Sequence, residues 1–277
     1  MPPSFLKSSA KDYSTFSQSM ICGASVFTSC TKDDNPVDPA TNLAEKIIGK
    51  WITAEFNGQP QPTDNKAVLN FVSDTKAFLS ASFIAHPKLS DLWNVQTEYA
   101  VVIAGNKVTL TNKIDEHQTI MIELTVSSIS TREMQTLMKN TMIIDGQEIS
   151  SPEMTISFTK VTRDYNEAII GIWEGQMTSE EDAYSDGKVH RWEYKADGTY
   201  VYYSQDEAGE WVPSDNTLNE YFVDGTLLCS RWIDNEQEFR EWWEIASIKD
   251  GVMKWKALRE KEDRSTYTAT FEMRKVE

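Results

Sequence analysis

The sequence predicts an all-β protein, with two tandem antiparallel β-barrels that follow a signal and tether segment. Three observations carry this expectation. Apolar and polar residues alternate with a period of two through much of the chain after residue 42. Asp-Gly and Gly-Asn pairs recur between the alternating runs, and residues 43–163 share an ordered set of motifs with residues 164–277. Period two marks a strand with one buried and one solvated face. Asp-Gly supplies the positive φ that tight hairpins require, and matches in one order indicate duplication.

The first 29 residues read as an atypical signal peptide. Met20–Phe27 is a short apolar run broken by Gly23 and Ser25, and the polar segment Met1–Ser19 before it contains Asp12. The run continues as Val26-Phe27-Thr28-Ser29-Cys30, followed at once by Thr31-Lys32-Asp33-Asp34. Small residues before a cysteine resemble the lipobox of Bacteroidota-type lipoproteins, with Phe27 where Leu is usual. The resemblance implies cleavage before Cys30, acylation of Cys30, and an export signal made by Lys32, Asp33 and Asp34. The implied address is the outer membrane, lipid-anchored, at the cell surface or otherwise on the periplasmic face. The other reading of these residues is a polar N-terminus with an incidental buried cysteine. Residues 30–42 are polar, contain Pro36 and Pro39, and form a tether. No run approaches the roughly 18 apolar residues of a membrane span, so the expected membrane contact is through N-terminal acyl chains.

Residues 43–163 and 164–277 form the two expected barrels. Ile47-Ile48-Gly49-Lys50-Trp51 returns as Ile169-Ile170-Gly171-Ile172-Trp173, 122 residues later. Ala, Glu and Ile residues before each glycine suit a short helix. Tyr99–Gly105 matches Tyr221–Gly225, and Met154–Val161 matches Thr268–Val276, with the join near Thr162–Tyr165. Hairpins are expected at Gly105-Asn106, Asp145-Gly146, Asp186-Gly187, Asp197-Gly198, Asp224-Gly225 and Asp250-Gly251. Met253, Trp255 and Ala257 alternate with Lys254 and Lys256, as do Tyr267, Ala269, Phe271 and Met273 with their polar neighbours. Ser130–Met142 is ambiguous: its composition admits a short helix, whereas the repeat places a strand through Met134–Leu137.

Gly-x-Trp on a first strand, followed by hairpin-linked strands over each half, resembles lipocalins, and in particular the lipocalin-like domains of Bacteroidota lipoproteins. The resemblance implies that Trp51 and Trp173 close one end of each barrel. It also implies a basic residue of the last strand over each ring: Lys160 for the first, Arg274 or Lys275 for the second.

The net charge is −16, and it is concentrated: residues 164–277 carry thirteen basic and twenty-six acidic side chains. Such a surface repels phosphate backbones, which argues against a nucleic-acid partner. Of Cys22, Cys30 and Cys229, only Cys229 remains as a thiol in an acylated mature chain, and it reads as a small buried apolar side chain. His86, His117 and His190 lack metal-ligand spacing and are expected at surfaces or in hairpins. The acidic run Glu180–Asp186 reads as a solvated loop, not a calcium loop. No metal site, cofactor or nucleophile motif is predicted, and the chain is not expected to be an enzyme.

Seven of the nine tryptophans lie in the second half. Trp192, Tyr194 and His190 share one strand face, Tyr200 and Tyr202 share another, and the adjacent Trp242 and Trp243 must face opposite ways. Such rings fill a large barrel core or present faces to an apolar ligand or a sugar. The binding candidates are Trp192, Tyr194, Tyr202, Trp232 and Trp242, with Arg231 and Arg240 adding polar specificity. The expected function is a non-catalytic, lipid-anchored envelope protein binding a small apolar molecule or glycan. The alternative is a structural module of the envelope that meets a protein partner on its outer surface.

Replacing Cys30 by Ala should move the protein from membrane to soluble fractions without unfolding it, because each buried CH₂ of an acyl chain contributes about 0.8 kcal/mol. Fractionation of the variant, with mass measurement of the native N-terminus, checks this. A variant that stays with membranes, or a native chain without acyl mass, excludes the anchor.

Overall fold

A computed structural model of the chain describes residues 42–80, 93–180 and 184–276; Cys30, Lys32, Asp33, Asp34 and His86 lie outside the described residues. The described chain is all-β, in two antiparallel barrel sheets. The first contains β1 (Gly49–Phe56), β2 (Gln59–Pro60), β3 (Val68–Phe71), β4 (Lys76–Ser80), β5 (Gln96–Ala104), β6 (Lys107–Lys113), β7 (Gln118–Ile129), β8 (Glu133–Ile144), β9 (Gln147–Ser150) and β10 (Met154–Lys160). It closes because β10 pairs with β1 on one side and with β8 on the other. Eight strands form the ring, and β2 and β9 are short extensions of it. Ser130–Met142, the ambiguous stretch, is mostly strand: β8 runs through it.

The second sheet contains β11 (Gly171–Met177), β12 (His190–Tyr194), β13 (Tyr200–Gln205), β14 (Trp211–Pro213), β15 (Leu218–Asp224), β16 (Leu227–Asp234), β17 (Gln237–Lys249), β18 (Val252–Glu260) and β19 (Thr266–Val276). Its order is β14-β13-β12-β11-β19-β18-β17-β16-β15, so β14 and β15 are the two ends of an open, curled sheet. The foot of this opening is held by a bridge between Thr199 and Glu220 and by Tyr221 N–H donating to the Gly198 carbonyl at 2.8 Å.

The repeated Ile-Ile-Gly-x-Trp motif builds the closed end of each barrel. Trp51 and Trp173 are 0% and 1% exposed, and each indole N–H donates at 2.6 Å to the carbonyl of the first isoleucine, Ile47 or Ile169. That carbonyl is presented by α1 (Leu43–Lys46) in the first copy and by one isolated turn, Ile169 N–H to Tyr165 O, in the second. The last strand then lays a lysine over the ring, Lys160 at 4.2 Å from the Trp51 centroid and Lys275 at 5.3 Å from that of Trp173. Lys275 pairs opposite Trp173, whereas Arg274 pairs opposite Glu174 and faces outward. Gly171 lies at φ 131, and a Cβ there would meet Lys275 Cε at 2.6 Å. The glycine thus lets the covering lysine reach the turn, where Lys275 Nζ donates to Ile170 O at 2.9 Å. Burial holds the Lys160 ammonium below the usual lysine range.

The two barrels meet along the outer faces of β1, β3 and β4 and of β15–β17. Outward residues on β15 and β16 are apolar: Phe222, Leu227 and Cys229 pack with Ile52 and Val68 of the first barrel and with Trp242. Cys229 is fully covered, and burial pushes its thiol far up. Charged groups surround this patch. Asp224 accepts from Ser80 Oγ at 2.6 Å and pairs with Lys50 Nζ at 2.7 Å, and the same ammonium reaches Asp164 at 2.6 Å. Glu244 pairs with Lys66 at 2.8 Å and Lys256 at 3.2 Å.

The first barrel also completes the second. β17 and β18 pair from Lys249–Val252 up to Glu244–Lys256 and then separate. In the first barrel the matching β7–β8 ladder continues past the same bulge to its far end. Where β18 departs, Thr63 Oγ1 from the turn Thr63–Asn65 accepts the Leu258 N–H at 2.9 Å. Across the gap, Arg259 donates to the Trp242 carbonyl at 2.9 Å. Both backbone groups are thereby satisfied.

Acid should loosen this contact through Glu244. Burial alone would raise its carboxyl, but Lys66 and Lys256 outweigh burial and hold it below the ordinary value of 4.5. A depressed carboxyl contributes stability that is full above the unfolded value and lost as pH falls through the folded one. Glu244→Gln should cost about 1–3 kcal/mol at neutral pH and flatten the acid limb of the unfolding curve. Denaturant titrations between pH 7 and 3 test both effects.

Candidate functional site

The second sheet stays open between its two edge strands, β14 and β15. In the first barrel the free edge of β4 pairs with β5 over its whole length, from Lys76 opposite Ala100 to Ser80 opposite Gln96. In the second, the chain turns back after β13 as β14, with Tyr203, Ser204 and Gln205 opposite Pro213, Val212 and Trp211. Ser214 N–H adds a bond to Tyr202 O at 2.8 Å. β15 then meets the foot of β13 at Thr199–Glu220, so the chain from β14 into β15 follows β13 with residues 215–219 bulging between the two contacts. Pro213, which has no N–H, is placed at the end of this short ladder.

The resulting cleft has a volume of about 490 Å³, within the common range for small-molecule sites. One wall is β12–β13 with the segment after β14; the other is β16–β17. Trp192, Tyr202, Trp232 and Tyr184 line it. Trp192 and Tyr184 belong to the aromatic core of the barrel and Tyr202 packs against it. Trp192 meets Trp255 edge-on at 5.4 Å and Phe271 at 5.3 Å, and Trp232 lies parallel to Phe239 at 5.6 Å. Edge-to-face contacts of this kind fix ring orientation.

Polar groups in the cleft are held by the same scaffold. His190 is 3% exposed, with Nδ1 2.8 Å from the Tyr202 hydroxyl and Nε2 3.2 Å from Asp186 Oδ1. Burial, opposed by Asp186, leaves the imidazole below its ordinary value, so it is neutral at pH 7. An ionised carboxylate only accepts, so Nε2 carries the proton and donates to Asp186, and Nδ1 accepts from the Tyr202 O–H. The Tyr202 hydroxyl is pushed up to about 12, first by burial and then by Asp186 and Glu241. On the other wall Glu241 accepts from Tyr184 Oη at 3.1 Å and pairs with Arg259 at 3.4 Å. The set can position rings and exchange hydrogen bonds with a ligand.

The structure brings together three of the seven binding candidates, Trp192, Tyr202 and Trp232. Tyr194 faces inward but lies deeper, against Tyr221 at 4.7 Å. Arg231, Arg240 and Trp242 are on the outer surface. Arg231 lies 4.4 Å from the Trp93 ring centre and pairs with Glu220 at 2.6 Å; Arg240 lies 5.6 Å from the same ring; Trp242 joins the inter-barrel patch. Strand parity requires this correction, because Arg231 adjoins Trp232 and Arg240 adjoins Glu241. His190 also departs from its expected exposed position, because it shares the inward face of Trp192. His117 is exposed at its turn and pairs with Asp145 at 2.8 Å. Tyr184, His190, Ser230 and Glu241 were not named as site residues. Glu241 had a sequence signal: it is an acid between Phe239 and Trp243 on an otherwise aromatic strand face.

Among the described residues no three His, Cys, Asp or Glu side chains converge as a metal-ligand set, and no described helix is long and apolar enough to cross a membrane. No family model matches the sequence, and no curated protein matches it.

His190 gives the second barrel a pH response. Its folded value lies below the unfolded 6.5, so the unfolded chain takes up its proton first and stability falls as pH drops below 6.5. His190→Phe should remove this dependence and cost about 1–3 kcal/mol at pH 7.5, by stranding the partners on Tyr202 and Asp186. Melting curves from pH 7.5 to 5 decide the matter.

Proposed function

We propose that this chain is a lipid-anchored, non-catalytic binding protein of the cell envelope, whose second barrel receives a small apolar or glycan ligand through its lateral cleft. One observation carries the reading: the second sheet is open between β14 and β15, and the cleft there is lined by Trp192, Tyr202 and Trp232. The first copy of the duplication closes into a ring around an apolar core. It acts as the brace, docked behind the β15–β17 wall. The anchor rests on the cysteine and acidic residues at Cys30–Asp34, and lipocalin-like character on the paired Gly-x-Trp motifs. The alternative of an envelope interaction module asked for an exposed aromatic patch at Trp242 or Trp243. Trp243 is 1% exposed and Trp242 packs between the barrels, which favours the ligand reading.

Ligands entering the cleft should change intrinsic tryptophan fluorescence in a saturable way. Titration with a panel of oligosaccharides and uncharged apolar molecules tests this. Trp232→Ala should weaken binding about tenfold, equivalent to about 1.4 kcal/mol, while the fold is retained by circular dichroism. No saturable response from any panel member overturns the proposal.

A further inference from the structure

We infer that the cleft of the second barrel is selective for uncharged sugar rings, and discriminates against acidic sugars and fatty-acid carboxylates. The inference rests on the binding reading above and narrows it to one ligand chemistry.

Charge supplies the first argument. The carboxylates of Asp186, Asp215, Asp234 and Glu241 border the cleft, against the single ammonium of Lys188. Arg259, the cation nearest the inner end, is engaged by Glu241 and the Trp242 carbonyl. An anion entering a cleft of one sign between low-dielectric walls meets a focused repulsive field. A carboxylate would also shed water there with no fixed cation to receive it. This excludes the head group of a fatty acid as readily as a uronic acid.

The second argument is the density of hydrogen-bonding groups. Ser204, Gln205 and Asn216 line the β13–β14 side, and Ser230 lines the opposite strand. A wholly apolar ligand covering them would cut these groups off from water, at about 1–3 kcal/mol for each hydroxyl or amide oxygen left unpaired. A sugar satisfies them with hydroxyls that both donate and accept. Its flat C–H faces suit the rings of Trp192, Tyr202 and Trp232, whose orientations the core already fixes. The aromatic floor and polar rim together fit a ring that is apolar on its faces and polar around its edge.

The test uses the full chain on an array of neutral and acidic glycans, followed by calorimetry with the best neutral glycan, its uronic-acid counterpart and palmitate. Binding of a neutral glycan at least about tenfold tighter than either anion, with the gap narrowing as salt rises, is the expected result. Asp215→Asn with Asp234→Asn should narrow the ratio of neutral to uronic-acid affinity at least about threefold; an unchanged ratio overturns the charge argument. Both changes are at the rim and conserve shape, so folding is not at issue. If palmitate or an acidic glycan binds and no neutral glycan does, this inference fails while the binding function stands. If no glycan, uncharged apolar molecule or palmitate binds, both fail.

Discussion

A backbone edge can be paired only once, and the architecture of the second barrel depends on that constraint. Each residue of β13 has one N–H and one C=O, and buried groups of this kind must find partners. The hairpin through Asp206–Glu210 returns β14 to the edge at Tyr203–Gln205, leaving only the foot of the strand for β15. The cleft lies where the sheet stays open between its two edge strands, β14 and β15.

A sheet opened in this way loses the cooperative closure that stabilises its sister. The molecule offsets the loss at two places. The closed end is built identically in both copies, from a buried indole, a turn carbonyl and a covering lysine. Behind the cleft, the first barrel covers apolar residues that face out from β15 and β16, and it supplies Thr63 where β18 leaves β17. The wall formed by β15–β17 is therefore fixed, and the aromatic rings on its inner face are held in position before any ligand arrives. Preorganisation of this kind is what lets a modest site bind without a further ordering cost. Duplication has given one copy the role of support and left the other open.

The two copies also show how chemistry can be carried by parity. On β16, Leu228, Ser230, Trp232 and Asp234 point in, while Leu227, Cys229 and Arg231 point out. The inward set makes the cleft and the outward set makes the inter-barrel contact and its surroundings. One eight-residue strand therefore serves two interfaces, which is why both of its faces are covered and its apolar pattern looks nearly continuous between Leu227 and Cys229.

Much of this was legible in the sequence. Period-two alternation, Asp-Gly turns and the repeated Ile-Ile-Gly-x-Trp motif each report on contacts between near neighbours or on one buried face, and these determine strand, hairpin and duplication by local rules. The lipocalin resemblance left Arg274 and Lys275 both open as the cover of Trp173, and strand pairing decided for Lys275. Grouping Trp192 with His190 on one strand face was legible, since parity along one strand is a local property. The sequence could not show that the second sheet would stay open between β14 and β15, because closure depends on pairing between distant strands. That Arg231 and Arg240 face away from Trp232 and Glu241 is, by contrast, a matter of parity along each strand. Whether an aromatic ring fills a core, lines a cleft or meets a second barrel depends on what lies across from it. Only the closure of the sheets in three dimensions decided that.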